Sequence, residues 1–393
     1  MFRFSRNSRS IISNWWWTVD KVLLTLITVL IIIGIFLNFS ASPAVARRIG
    51  VDSFHFVKRQ MVFIPLAIGI ILYLSMQNLR FIRRTAIIGY IITMLLMVMA
   101  LLWGEEIKGA SRWIRIFGFS LQPSEFIKPT FAVVAAWLFD AQKKYQDIPG
   151  TLLSSILFAL TLGLLLAQPD IGMSFVVTVI WGFQLFLNGL SLILVGFAIL
   201  AGIAALITAY FVFPHFHTRV MQFIASDNEV SYQVKKAMEA FENGSLFGRG
   251  PGEGIVKLNI PDAHTDFIFA VVGEEFGLFV CLIMVGLFAA VVIRSMLISM
   301  RENNLFIILS SAALSASFGL QSVINMASTL HLMPTKGMTL PFISYGGSSL
   351  LAMALGIGML LAIPLYTVLR VFAKEFFSQI SLVRKLTEKT DVY

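Results

Sequence analysis

Charge is what this sequence has least of. Asp, Glu, Lys and Arg make up 13% of its 393 residues against 58% hydrophobic, and the mean hydropathy is +0.84. That excludes an ordinary water-soluble domain, in which about a quarter of residues are charged. Cysteine is almost absent: Cys281 stands alone inside an apolar stretch, so an intrachain disulfide is excluded. The five histidines are scattered, without an HExxH or CxxC pattern, and nothing marks a dedicated structural metal site. A small-residue cleavage site is lacking after the first apolar run. Val22–Phe39, preceded by Arg3, Arg6 and Arg9, therefore reads as a retained helix and not as a signal peptide. The net charge of +9 would suggest a nucleic-acid partner in a soluble protein, but basic cytoplasmic loops account for it here and none is expected.

Long apolar runs are what the sequence has instead. Broken at charged and Gly/Pro clusters, they give about ten spans, near 21–41, 59–76, 85–103, 124–141, 151–167, 171–187, 190–213, 266–293, 305–327 and 344–370. The expected fold is all-α, a polytopic transmembrane bundle. Its parts are a basic tail at 1–20, helices 1–7 over 21–213, a large extracytoplasmic loop at 214–265, helices 8–10 over 266–373 and a tail at 374–393. An even count puts both termini on one side, and the basic tails with Arg80, Arg83, Arg84, Lys143, Lys144, Arg294 and Arg301 make that side cytoplasmic. The other face also carries cations: Arg47, Arg48, Lys58, Arg59, Lys108, Arg112, Arg115 and Lys336. Lipid headgroups would explain them singly, and a polyanionic ligand would explain them together.

The stretch 214–265 is too long for a plain helix connection. Within it, Glu229–Phe241 places Val230, Val234, Ala237, Met238 and Phe241 near helical spacing, as in an amphipathic helix lying along the interface. Gly244, Gly248, Gly250, Gly252 and Gly254 follow. No strand precedes them, so a dinucleotide fingerprint is set aside in favour of tight turning or close backbone approach.

Three constellations carry polar chemistry. In Leu258–Phe269, Asp262, Thr265 and Asp266 precede an apolar helix; any of them could cap it, or Asp266 could accept a proton from a bound hydroxyl at the membrane boundary. A helix N-terminus and nearby cations would favour its ionised form and desolvation its neutral one. Glu274 and Glu275, on other faces of that helix, are expected to pair with polar groups of neighbouring helices. In the second, Lys108–Trp113 offers Arg112, a planar fork suited to phosphate oxygens, and Gln122–Lys128 starts the fourth span with Glu125 and Lys128 three residues apart. The third runs from Met333-Pro-Thr-Lys-Gly337 to Leu340-Pro-Phe-Ile-Ser-Tyr-Gly-Gly-Ser-Ser349, a broken backbone toward which Gln321 and Asn325 turn two amides of the ninth span.

Together Gly109-Ala-Ser-Arg-Trp-Ile114, Gln122-Pro-Ser-Glu125, Gln168-Pro-Asp170, His264-Thr-Asp-Phe-Ile-Phe-Ala270 with Gly273-Glu-Glu-Phe-Gly277, and Leu340–Ser349 resemble the SEDS family of bacterial peptidoglycan polymerases, in order along almost the whole chain. Pro334-Thr-Lys-Gly337 is similar to the division branch of that family more than to its elongation branch. Lys235-Lys236 stands where family members often carry Gln-Ser. The resemblance implies an inverting glycosyltransferase that joins lipid II units into a glycan strand on the outer face of the cytoplasmic membrane. Its partners would be a class B penicillin-binding protein and other division-machinery membrane proteins. It implies Asp266 as the catalytic base, and Arg112, Lys336, Glu125, Lys128, His264, Ser344, Gln321 and Asn325 as substrate-binding residues. A divalent cation could share the work, although no ligand cluster indicates one. A lipid II flippase and a non-catalytic division scaffold are the rival readings.

Overall fold

The computed structural model describes residues 11–363 apart from 108, 109, 117, 146, 214–216, 219, 222 and 224–231. The end of the tenth expected span and the tail that follows it (364–393), Arg3, Arg6 and Arg9 of the basic tail, Lys108, Gly109 and Val230 therefore lie outside the described residues. A short helix α1 (Ile11–Thr18) precedes α2 (Lys21–Arg48), α3 (His55–Ser75) and α4 (Leu79–Trp103). After a small sheet come α5 (Pro123–Lys144), α6 (Gly150–Ala167), α7 (Ile171–Leu187) and α8 (Leu192–Val212). Then follow α9 (Tyr232–Gly244), α10 (Ile268–Ser299), α11 (Leu305–Thr329) and α12 (Gly347–Ile363).

Seven of these helices, α2, α3, α4, α6, α8, α10 and α11, are long and apolar enough to cross a membrane, and α7 and α12 are shorter apolar helices. With α5 they make the expected bundle. α5 is less apolar because lipid does not touch it. It is buried along most of its length between α4, α6, α7 and α11, which lets it carry Glu125, Lys128 and Asp140 where a lipid-facing helix could not. Gln184 on α7 ties this centre together, donating to the carbonyl of Ala132 at 2.7 Å.

The stretch between α4 and α5 departs from the helical pattern. Glu105–Ile107 (β1), Ala110–Ile116 (β2) and Phe119–Leu121 (β3) form an antiparallel meander in the order β1-β2-β3, with Glu105 opposite Trp113 and Ile114 opposite Leu121. Gly118, at φ +78°, turns β2 into β3.

The other departure is inside α10. Gly277 adopts φ 76° and ψ −175°, which breaks the helical hydrogen-bond ladder. The glycine-rich segment repairs it. Arg249 and Gly250 donate their N–H groups to the carbonyls of Glu274 and Glu275, at 3.0 and 2.9 Å, and Leu278 and Phe279 donate to Ser245 and Leu246. The glycines both turn and approach: Gly248, Gly250 and Gly252 have positive φ, and a Cβ on Gly244 would fall 1.9 Å from the carbonyl oxygen of Gly273. α9 lies against α10, burying Val234, Ala237 and Ala240, while Met238 stays exposed.

This break also relocates the two glutamates. The stretch 278–299 is roughly 33 Å long at 1.5 Å per residue, enough to span hydrocarbon without the first turns of α10. Glu274 accepts from Asn243 Nδ2 and from the backbone N–H groups of Ile255, Val256 and Lys257, all within 2.8 Å. It caps the 3-10 turn Val256–Asn259. Glu275 takes hydrogen bonds from Lys257 and from Ser40 of α2. The partners expected on neighbouring helices are present, Asn243 on α9 for Glu274 and Ser40 on α2 for Glu275, and the 252–259 loop supplies the rest. Gly277→Ala should cost at least about 2 kcal/mol, because the left-handed φ is strained for alanine and its Cβ would sit 2.4 Å from the Leu246 carbonyl oxygen. Faster proteolysis of the 244–259 segment, together with a lower melting temperature, is the expected readout.

Candidate active site

The strand β2, the turn between α6 and α7, the turn before α10 and the loop before α12 all lie at one end of the bundle. Their meeting is built on hydrogen bonds to backbone. Arg112 on β2 donates through Nε to the carbonyl of Gln168 at 3.0 Å and through a terminal nitrogen to that of Pro169, and its other terminal nitrogen lies 3.6 Å from Asp170 Oδ1. The fork that suits phosphate is here spent largely on the Gln168-Pro-Asp170 turn. Asp170 in turn caps α7 by accepting from Met173 N–H.

Lys336 reaches the helix that follows this turn, α7. Its stem lies against Gly172, where a Cβ would fall 2.5 Å from the Lys336 Cε, and its ammonium sits 4.8 Å from the centroid of Phe175. The next residue, Gly337, has φ +63° and approaches Asp266 so closely that a Cβ there would lie 3.3 Å from Oδ2. The Pro334–Gly337 loop therefore joins Asp266 to the Arg112-anchored turn.

Asp266 itself is half-buried in the turn before α10, which starts at Ile268. The N-cap is Phe267, without a side-chain cap bond, so the N-cap position falls on none of Asp262, Thr265 and Asp266. Its backbone is held from several sides. Asn325 Nδ2 donates both to the Asp266 carbonyl at 2.9 Å and to that of Met338 at 2.6 Å, and Thr329 Oγ1 adds a longer bond at 3.4 Å. Ser344 accepts from Leu340 N–H at 2.8 Å and donates to the Thr265 carbonyl, while Tyr345 N–H donates to that of His264 at 2.8 Å. Phe342, buried at φ +63°, is the strained residue at the centre of this loop.

Behind this surface is a buried polar frame. Lys128, fully enclosed, donates to Glu125 Oε2 at 2.8 Å and to Gln321 Oε1. Gln321 passes the contact on, donating to the Thr339 carbonyl at 3.0 Å and to Ser349 Oγ at 3.2 Å. Ser348 Oγ receives the Gln122 N–H at 3.0 Å, fastening the start of α5 to the start of α12. The amides of Gln321 and Asn325 thus grip loop backbone, and the cations farther out have local partners too. Lys58 pairs with Asp52 at 2.6 Å, and Arg48 donates to the Ile260 carbonyl at 2.8 Å.

His264 is wedged between Phe56 and Tyr345, with ring centroids 4.3 and 5.2 Å away, and burial lowers its pKa to about 4. The unfolded chain takes up this proton near pH 6.5 and the folded one only near 4, so stability falls as pH drops through that window. The loss attributable to His264 is about 3 kcal/mol at pH 4. His264→Gln should flatten the decline in melting temperature between pH 6.5 and 4.

In the sequence Gly337 stands out only as the end of the Pro334–Gly337 motif, because its close approach depends on the fold, and Lys257 does not stand out. A lone lysine in Gly254–Leu258 was the only signal for the latter. Among the described residues no three His, Cys, Asp or Glu side chains gather into a metal-binding group.

Fold and site together define a multi-pass membrane protein whose polar residues converge on a broken backbone at one end of a helical bundle. Residues 20–368 match the model of the cell cycle protein family of FtsW, RodA and SpoVE. The chain belongs to that family. It is 42% identical over 364 residues to a probable peptidoglycan glycosyltransferase FtsW of Caulobacter vibrioides, covering 92% of this chain and 93% of that one. The protein of that same description in Trichlorobacter lovleyi is 36% identical over 88% of this chain and 92% of its own. Among solved structures, one described as "Structural coordination of polymerization and crosslinking by a peptidoglycan synthase complex" superposes with a TM-score of 0.74 at 26% identity, over 89% of this chain and 98% of that chain. The rod shape determining protein RodA of Thermus thermophilus gives 0.64 at 25%, over 89% and 97%.

Proposed function

We propose that this protein is a peptidoglycan glycosyltransferase of the division machinery, polymerising lipid II at the outer face of the cytoplasmic membrane. The observation that carries the site assignment is the approach of Gly337, the residue after Lys336, to the carboxylate of Asp266, the only acidic residue in the His264–Ala270 block. Asp266 takes the proton from the 4-hydroxyl of the acceptor GlcNAc as that oxygen attacks C1 of the donor MurNAc. The new C1–O4 bond forms with inversion, the bond from C1 to phosphate breaks, and undecaprenyl pyrophosphate leaves with the electron pair. Lys336 stabilises the charge that develops on it. Arg112 holds the Gln168–Asp170 turn that leads into α7, and the Lys336 stem rests on the first turn of that helix at Gly172. Glu125, Lys128, Gln321, Asn325, Ser344 and His264 hold the loop before α12 against the Asp266 turn.

In this reading the Asp266 end of the bundle is extracytoplasmic, both termini are cytoplasmic, and the enzyme works at the septum beside a class B penicillin-binding protein that cross-links its product. The test is to incubate the purified protein with lipid II, with and without that partner. Glycan polymer is the expected product. Movement of lipid II across a bilayer without polymer would replace this reading by a flippase. No turnover with the partner present, together with normal division in cells carrying Asp266→Asn, would leave a scaffold.

A further inference from the structure

At the end of the bundle away from Asp266 there is a second polar recess. It opens between the start of α4, the last turns of α5 and the turn from α10 to α11, and encloses about 870 Å³. Four cations line it, Arg80, Arg83, Lys143 and Lys144, against one carboxylate, Asp140, which Lys144 already engages at 2.6 Å. The guanidinium of Arg83 is held over the indole of Trp137, 5.4 Å from the ring. The positive ends of two helix dipoles point into the same space, α4 beginning at Leu79 and α11 at Leu305. None of these groups takes part in the site around Asp266.

The recess attracts a multivalent anion, and its surroundings say which kind. Arg80 lies on the α4 face that continues, at steps of three and four residues, through Arg84 and then Ile88, Ile91 and Leu95, these three all more than half exposed. A soluble phosphate would have no use for that apolar track. A phospholipid would lay its acyl chains along it, with the phosphates in the recess.

We propose that this recess binds an anionic phospholipid, its phosphates among Arg80, Arg83 and Lys143 and its acyl chains along α4. The proposal does not depend on the glycosyltransferase reading, because it concerns the opposite end of the bundle and is read by lipid binding alone.

The test uses the full-length protein in detergent, titrated with tetraoleoyl cardiolipin or with dioleoyl phosphatidylcholine and followed by native mass spectrometry. Cardiolipin should bind selectively. Arg80→Gln combined with Lys143→Gln should weaken it about 25-fold, about fivefold for each cation removed, and leave phosphatidylcholine binding unchanged. Both side chains are exposed, so folding is expected to survive, and Lys143→Glu alone gives a second reading in the same direction. Equal cardiolipin affinity in the native and substituted proteins would overturn the proposal. So would inorganic pyrophosphate competing as strongly as the lipid, which would mark a soluble phosphate ligand, or an acidic peptide displacing it, which would mark a protein partner.

Discussion

Asp266→Asn should reduce glycan polymerisation by roughly 10²- to 10⁴-fold, the usual contribution of a general base, with little change in the melting temperature. The reason for expecting a clean effect lies in how the residue is held. Asn325 and Thr329 bind the main-chain carbonyl of Asp266, and neither of those bonds depends on the carboxylate. An amide of the same shape also fits beside Gly337. The variant therefore removes proton acceptance and keeps these main-chain bonds. Polymer yield from lipid II and thermal unfolding, measured on the same preparation, separate the two. Full activity in a folded Asp266→Asn protein would sink the base assignment.

Lys128→Met is expected to act in the opposite manner, on stability first. Lys128 has no exposed surface, and its partner Glu125 has a side chain only 7% exposed. Removing the ammonium leaves a carboxylate buried without its counter-charge, which costs about 3–5 kcal/mol, more than the pair contributes when intact. It also frees Gln321, the residue that grips Thr339 and Ser349 at the foot of the loop before α12. The melting temperature should fall sharply, and the double change Glu125→Gln with Lys128→Met should recover most of it. A single variant that melts like the native protein yet fails to polymerise would instead give Lys128 a direct part in handling substrate.

These two residues show how unevenly a sequence discloses a site. The bundle was readable because crossing a bilayer demands long apolar runs, and α6 and α7, separated by three residues, came out within one residue of their observed ends. The pairing of Glu125 with Lys128 was readable for the same reason, since neighbours on a helix meet at fixed spacing. Contacts between distant segments were not. Arg112 has the side chain of a phosphate ligand, and only the fold reveals that its acceptors are the carbonyls of Gln168 and Pro169. The strands β1 and β3 have three residues each, too short for any alternation to register. Gly273-Glu-Glu-Phe-Gly277 reads as uninterrupted helix, because what makes its break tolerable is supplied by backbone nearly thirty residues earlier.

That break also bears on how the molecule is made. Synthesis delivers residues 245–250 to their side of the bilayer before 268–299 emerges. The later helix therefore completes its hydrogen bonding against chain that is already waiting there. A protein truncated or permuted so that α10 came first would have to insert with a gap in its ladder and no template to close it. The order of segments along the polypeptide is thus itself an assembly instruction.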